Sequence, residues 1–204
     1  MPLAAILAVI MVAEHRDRSV HQAYYWLAII VIRTAATNLA DFGASDLAVK
    51  KIWLIAVLAV LLAATLFFTP PAKLTEDIRT RPFRLPITDA KYWLAMLIAG
   101  TLGTVIGDLM SFDSGLGTAY ASAVQGALLA VLFFLGGVGL FANVWFYWLT
   151  VVGVRAAGTS VSDFLAHDVF GLPLSTLATG FLFVATLLVW KELARYEGNV
   201  QKAA

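Results

Sequence analysis

Arg33-Thr-Ala-Ala-Thr37-Asn-Leu-Ala-Asp41-Phe-Gly-Ala-Ser-Asp46 is the stretch that decides the fold, because it returns twice further along the chain. The second copy is Gly100-Thr-Leu-Gly-Thr104-Val-Ile-Gly-Asp108-Leu-Met-Ser-Phe-Asp113. The third is Arg155-Ala-Ala-Gly-Thr159-Ser-Val-Ser-Asp163-Phe-Leu-Ala-His-Asp168. Trp26, Trp93 and Trp148 each stand at one fixed distance ahead of Thr37, Thr104 and Thr159. Each threonine in turn precedes Asp41, Asp108 or Asp163 by one helical turn, so the two share a helix face. Asp46, Asp113 and Asp168 close the three phrases at a common offset. Acids kept at fixed register inside apolar segments are pointers to function.

The surroundings are strongly apolar. The chain of 204 residues is 61% hydrophobic and 13% charged, with a mean hydropathy of +0.85, more than a soluble domain of this length needs. Ile52–Phe68, Ala119–Asn143 and Leu172–Trp190 are long enough to cross a hydrocarbon core of about 30 Å at about 1.5 Å per residue. The fold class expected is all-α, a polytopic transmembrane helical bundle. A net charge of +1 with no basic stripe argues against a nucleic-acid partner. The absence of cysteine removes disulfides, thiolate metal sites and cysteine nucleophiles. No Ser/His/Asp order, zinc-type histidine spacing or phosphate loop is present, so neither an enzyme nor an organic cofactor is expected. A bound metal cation is the one non-protein group the acids suit.

Each copy reads as a helical hairpin. Helix A runs from the aromatic cluster to the first aspartate, over about Val20–Asp41, Ala90–Asp108 and Val144–Asp163. Helix B follows over about Asp46–Phe68, Gly117–Asn143 and Leu172–Lys191. The chain thus divides into a short N-terminal helix (Met1–Ala13) with a charged turn over 1–19, then repeat 1 over 20–68. A Pro- and Arg-rich loop covers 69–89, repeat 2 is 90–143, repeat 3 is 144–193, and 194–204 is a tail. That is three tandem two-helix repeats and six transmembrane helices. Met1–Ala13 lacks the basic head of a signal peptide and is short for a full span. A tight turn is expected at Ala142-Asn143.

Orientation follows from the basic residues. Arg16, Arg18, Lys73, Arg79, Arg81, Arg84, Lys91, Lys191, Arg195 and Lys202 fall on one side, and Lys50 and Lys51 on the other. Helices A therefore enter from the cytoplasm, the C-terminus is cytoplasmic and the acids lie towards the outside. Tyr24-Tyr25-Trp26, Tyr92-Trp93 and Trp145–Trp148 are then expected as an interfacial belt of membrane anchors. Counting from each tryptophan at about 1.5 Å per residue, Arg33 and Arg155 lie roughly 10 Å in, the threonines about 16 Å and the first aspartates about 22 Å. Repeats 1 and 3 present an Arg–Thr–Asp ladder, where repeat 2 has Gly100. Small neighbours (Ala36, Gly103, Gly158; Ala40, Gly107, Ser162) let helices approach closely along this stripe. An aspartate at a helix C-terminus opposes the helix dipole, so an arginine, a cation or a proton is the expected compensation. The second acids suit N-caps and turns, and their common offset also suits an acidic outer vestibule.

The three A-helix phrases resemble the bacterial "repeat of unknown function" membrane-protein family, built from tandem two-helix units with a Thr-x-x-x-Asp motif. The resemblance covers most of residues 20–190 and implies architecture rather than activity. Members often carry four units, and Met1–Ala13 with its charged turn fits the tail of a helix B from an earlier one.

The function expected is a secondary transporter or exporter of a small cation in the bacterial inner membrane, with a divalent metal and proton coupling as candidates. Asp41, Asp108 and Asp163 are the candidate ligands or proton carriers, and Thr37, Thr104 and Thr159 supply neutral oxygens suited to hard cations. Arg33 and Arg155 act as internal counter-charges, and Asp46, Asp113 and Asp168 as vestibule charges. The alternatives are a non-transporting scaffold or sensor subunit, and binding of an anion or lipid head group through Arg33 and Arg155. The partners expected are the lipid bilayer, the cation and, in a homo-oligomer, a second copy of the chain.

Overall fold

A computed structural model describes residues 22–68, 89–138 and 143–203. The N-terminal helix expected over Met1–Ala13, nearly all of the Pro- and Arg-rich loop and Ala142 lie outside the described residues. Within them the chain is all-helical, with α1 Gln22–Asp41, α2 Lys51–Phe67, α3 Ala90–Asp108, α4 Gly117–Gly137, α5 Val144–Phe164 and α6 Leu172–Ala203. Two polar residues start their helices by capping free N–H groups. Asp89 accepts from the Tyr92 amide at 2.7 Å, and Asn143 accepts from the amides of Trp145 and Phe146.

The segments Tyr25–Asp46, Ala90–Asp113, Gly117–Gly137 and Leu172–Glu192 are long and apolar enough to cross a membrane. Helix α2 is apolar but shorter, at 17 residues. Helix α5 has the length, yet Arg155, Asp163 and its hydroxyl residues lower its hydropathy. Outward-facing side chains confirm the apolar setting: Phe181 of α6 is 77% exposed, with Leu174, Leu177, Leu182, Leu188 and Val189 also bare. In water such a continuous apolar face would drive aggregation. This is a membrane-type helical protein.

The A helices do not end at their first aspartates. Each runs on into a five-residue π turn, Phe42–Asp46, Leu109–Asp113 and Leu165–Val169. One wide bond closes each turn, from Leu47 N to Phe42 O at 3.0 Å, Ser114 N to Leu109 O at 2.9 Å and Phe170 N to Leu165 O at 2.8 Å. The repeated structure is therefore helix A, π turn, helix B. Its second acid, not its first, sits where the helix dipole is negative. Helix B of repeat 1 starts at Lys51 rather than Asp46, so Asp46 belongs to the π turn and caps nothing in α2. Helix α4 ends at Gly137, and the expected tail over 194–204 continues α6 as helix to Ala203.

The hairpin expectation fails in its packing. Helix α2 lies against α3 of the next repeat, and α4 lies against α5 of the next. Helix α6 reaches α1, where Trp26 meets Phe183 and Trp190 edge-to-face. Helices α2 and α4 thus brace the inner helix of the next repeat, while α6 packs on its own π turn and touches α1 through these aromatic contacts.

Helix α3 is the centre, packed on α1, α2 and α5. Its small residues make this fit. A methyl group added at Gly103 would stand 2.6 Å from Arg155 Cβ and 2.7 Å from the Val152 carbonyl. At Gly107 it would meet Thr159 Cβ at 2.7 Å, and at Gly100 it would meet Ala36 Cβ at 3.1 Å. This is close backbone approach of the small-xxx-small kind.

Candidate functional site

The three inner helices converge along one polar column. At the end that carries the tryptophans, Tyr25, Tyr92 and Tyr147 meet through their hydroxyls, at 3.2 Å (Tyr25–Tyr92) and 3.1 Å (Tyr92–Tyr147). Each comes from the same position of its repeat. Tyr25 also packs on Trp93, and Tyr92 on Trp148. Tyr25, Tyr92, Trp93 and Trp148 are buried, so these aromatics are core and not the lipid-facing belt expected from sequence. Trp145, at 52% exposure, keeps the character of an anchor. An aromatic pair at the end of an apolar helix fits either role. The sign that was missed is that tyrosine precedes tryptophan in register in every copy.

One level further along sits Arg155. Its Nε donates to Thr104 Oγ1 at 2.8 Å and its guanidinium NH2 to Thr37 Oγ1 at 2.5 Å. The two threonine hydroxyls donate to the carbonyls one turn back on their own helices, Gly100 and Arg33, which leaves their lone pairs for the guanidinium. One arginine of repeat 3 therefore clamps repeats 1 and 2. Within the ladder, Arg155 reaches sideways to the threonines of its neighbours instead of up its own helix to Asp163. Thr159 has no such donor, and its buried hydroxyl has no partner among the described residues.

The first acids follow. Asp108 and Asp163 are half-buried and Asp41 is exposed. Asp108 lies within electrostatic reach of Asp163, Asp41, Lys51 and Arg155. Ser111 stands beside the Asp163 carboxylate but gives its hydroxyl hydrogen to Ser160, which leaves Asp163 Oδ2 buried and without a hydrogen bond among the described residues. No group of three or more acids or histidines with metal-ligating spacing occurs among them.

A buried hydroxyl and amide network that the sequence did not announce lies beside these acids. Ser111 and Gln125 donate to Ser160 Oγ at 3.1 and 2.9 Å, Ser160 Oγ donates to the Gly107 carbonyl, and Ser122 donates to the Ser160 carbonyl at 2.7 Å. Gln125, a lone amide within the apolar stretch of α4, was the available signal.

The second acids act as links. Lys51, at the start of α2, pairs with Asp113, and Thr118, near the start of α4, donates to Asp168. In both cases the head of an outer helix is held by the π turn of the next repeat. Asp46 is exposed. His167 has its Nδ1 at 3.0 Å from the Asp163 carbonyl, and its ring meets Phe112 of the preceding repeat's π turn edge-to-face at 5.7 Å.

The family model described as Repeat of Unknown Function (DUF347) matches residues 91–136 and 146–196. Each match spans one A helix, its π turn and a B helix, with the Thr–Asp face in the same place. The chain therefore carries two copies of the DUF347 repeat. No curated protein and no solved structure matches it. The two matched DUF347 copies hold Arg155, Thr104, Asp108, Asp163 and the serine network, so most of the polar column belongs to the repeat itself.

Proposed function

We propose that the protein is a secondary transporter or exporter of a small cation, with the six described helices crossing the membrane and residues 22–68 as a third, diverged copy of the repeat. The common π turn and its closing bond support that third copy. Asp108 and Asp163 are the carriers in this reading. The observation that carries it is Asp163 Oδ2, a buried carboxylate oxygen without a partner, one turn beyond the equally unpartnered hydroxyl of Thr159. Burying such a group costs several kcal/mol unless a proton or cation completes it. Intramembrane acids that are retained at that cost mark ion and proton paths.

Thr37 and Thr104 change role. With the Arg155 guanidinium on their oxygens, the threonine level repels a cation. The ion passes at the level of the acids, where Thr159 keeps a free hydroxyl. Two carboxylates, a hydroxyl and water suit a proton or a hard cation. The orientation read from the basic residues puts this end outside and the C-terminus in the cytoplasm of a bacterial inner membrane.

The rival reading, a non-transporting scaffold, draws on the same clamp. Arg155 joins three helices and is what a locked bundle would use. Proteoliposome flux across a panel of monovalent and divalent cations, with and without a proton gradient, separates the two. Transport expects a cation-dependent flux above empty vesicles that Asp163→Asn removes, and the scaffold expects none with any ion.

A further inference from the structure

The three-fold plan is broken at one place. Tyr25 packs on Trp93 and Tyr92 on Trp148, but Trp26, which a complete ring would set against Tyr147, turns outward to Phe183 and Trp190. Between α1 and α5 the break leaves an open cleft of roughly 340 Å³. Ile29, Met96, Phe133, Val151 and Val154 give it apolar walls, Tyr25, Tyr147 and Thr150 add hydroxyl-bearing side chains, and Arg33 enters it. Arg33 is half-buried, and its guanidinium makes no hydrogen bond or ion pair among the described residues, although the Tyr25 and Tyr92 hydroxyls lie within its electrostatic reach. Its repeat-equivalent, Arg155, by contrast donates to Thr104 and Thr37. One arginine is structural and the other enters a cleft that no described residue fills.

We infer that this cleft binds an amphipathic organic anion, a carboxylate or phosphate head on Arg33 with a single aliphatic chain against Ile29, Met96 and Phe133. A half-buried guanidinium presents a planar fork of donors that matches either head group. The volume is at the lower end of ligand pockets, about 300–1,000 Å³, which admits one chain and not a whole diacyl lipid. The site is separate from the acids, and its ligand does not depend on whether the protein transports a cation.

The test uses the full-length protein in nanodiscs of phosphatidylcholine, with thermal unfolding read against added decanoate and, as an uncharged control, decanol. Decanoate should raise the midpoint saturably while decanol does not. Arg33→Gln should weaken the decanoate effect roughly tenfold or more, the scale of one lost charge-assisted contact, and Arg33→Lys should recover part of it. Val151→Trp fills the cleft without touching the charge and should abolish the effect if Arg33→Gln proves unstable. A parallel set of nanodiscs containing phosphatidylglycerol and no decanoate identifies the source. Arg33-dependent protection there assigns the anion to the bilayer, and protection by decanoate alone assigns it to a soluble amphiphile. Equal shifts with decanoate and decanol, or unchanged binding in both Arg33→Gln and Val151→Trp, would overturn the site.

Discussion

Arg155 offers the sharpest perturbation. Its guanidinium makes two charge-assisted bonds, to Thr104 at 2.8 Å and Thr37 at 2.5 Å, and each bridges a different pair of repeats. Hydrogen bonds to a charged group contribute about 1.5–3 kcal/mol each, so the pair amounts to roughly 3–6 kcal/mol before the cost of burying the cation is set against it. Replacing Arg155 by Met restores apolar packing and removes that cost, so the single variant should lose only about 1–3 kcal/mol. The informative quantity is the coupling. In a double-mutant cycle of Arg155→Met with Thr104→Val, the interaction energy should reach about 1.5–3 kcal/mol, the contribution of one such bond. A second cycle, Arg155→Met with Asp163→Asn, should show less, because the guanidinium is committed to the threonines and Asp163 Oδ2 has no partner. Reversible unfolding in mixed micelles, followed by tryptophan fluorescence, supplies the four free energies of each cycle. A larger coupling to Asp163 than to Thr104 would mean that the arginine serves the acid of its own helix, and the clamp between repeats would be refuted.

Other expectations follow from packing, backbone and charge. Gly107→Ala drives a methyl group to 2.7 Å from Thr159 Cβ and 3.0 Å from the Ala156 carbonyl, so it should cost about 1–3 kcal/mol in the same unfolding assay. Gly126→Ala, with nothing within 4 Å of the added methyl, is the control and should stabilise by up to about 1 kcal/mol, the helix-propensity gain alone. Ala48 has a φ of 49° at the register where repeat 2 has Gly115 at 77°, so Ala48→Gly should stabilise by about 0.5–1 kcal/mol. A cysteine placed at Ser114 should label from outside intact cells and one at Thr75 only after permeabilisation. The reverse pattern would invert the orientation.

The A helices were legible because threonine, aspartate and small residues recur on one face at helical spacing, and the same stripe marked the close approach at Gly103 and Gly107. Partner choice was not legible. A short link allows helix B to fold back on its own A helix or to reach the next one, and the residues that decide, Lys51 with Asp113 and Thr118 with Asp168, are far apart in sequence. The π turns left a trace only in the five-residue interval between acids, since no residue type specifies a wide turn. The Arg155 clamp was missed for a geometric reason. An arginine one turn below a threonine suggests a ladder on a single helix, whereas its long side chain spans to two neighbours. Those acceptors are invisible until the helices are placed.

In this reading the first acids carry an ion. Asp108 is the cleanest probe, because it is half-buried and lies within electrostatic reach of both other first acids, Asp163 and Asp41. The measurement is cation flux into proteoliposomes containing wild type, Asp108→Asn or Asp113→Asn, with folding checked by the unfolding midpoint. Asp108→Asn should abolish flux while the protein stays folded, whereas Asp113→Asn, which loosens an exposed ion pair with Lys51 and removes a charge screened by water and salt, should mainly weaken apparent affinity. Wild-type flux in folded Asp108→Asn would contradict this reading.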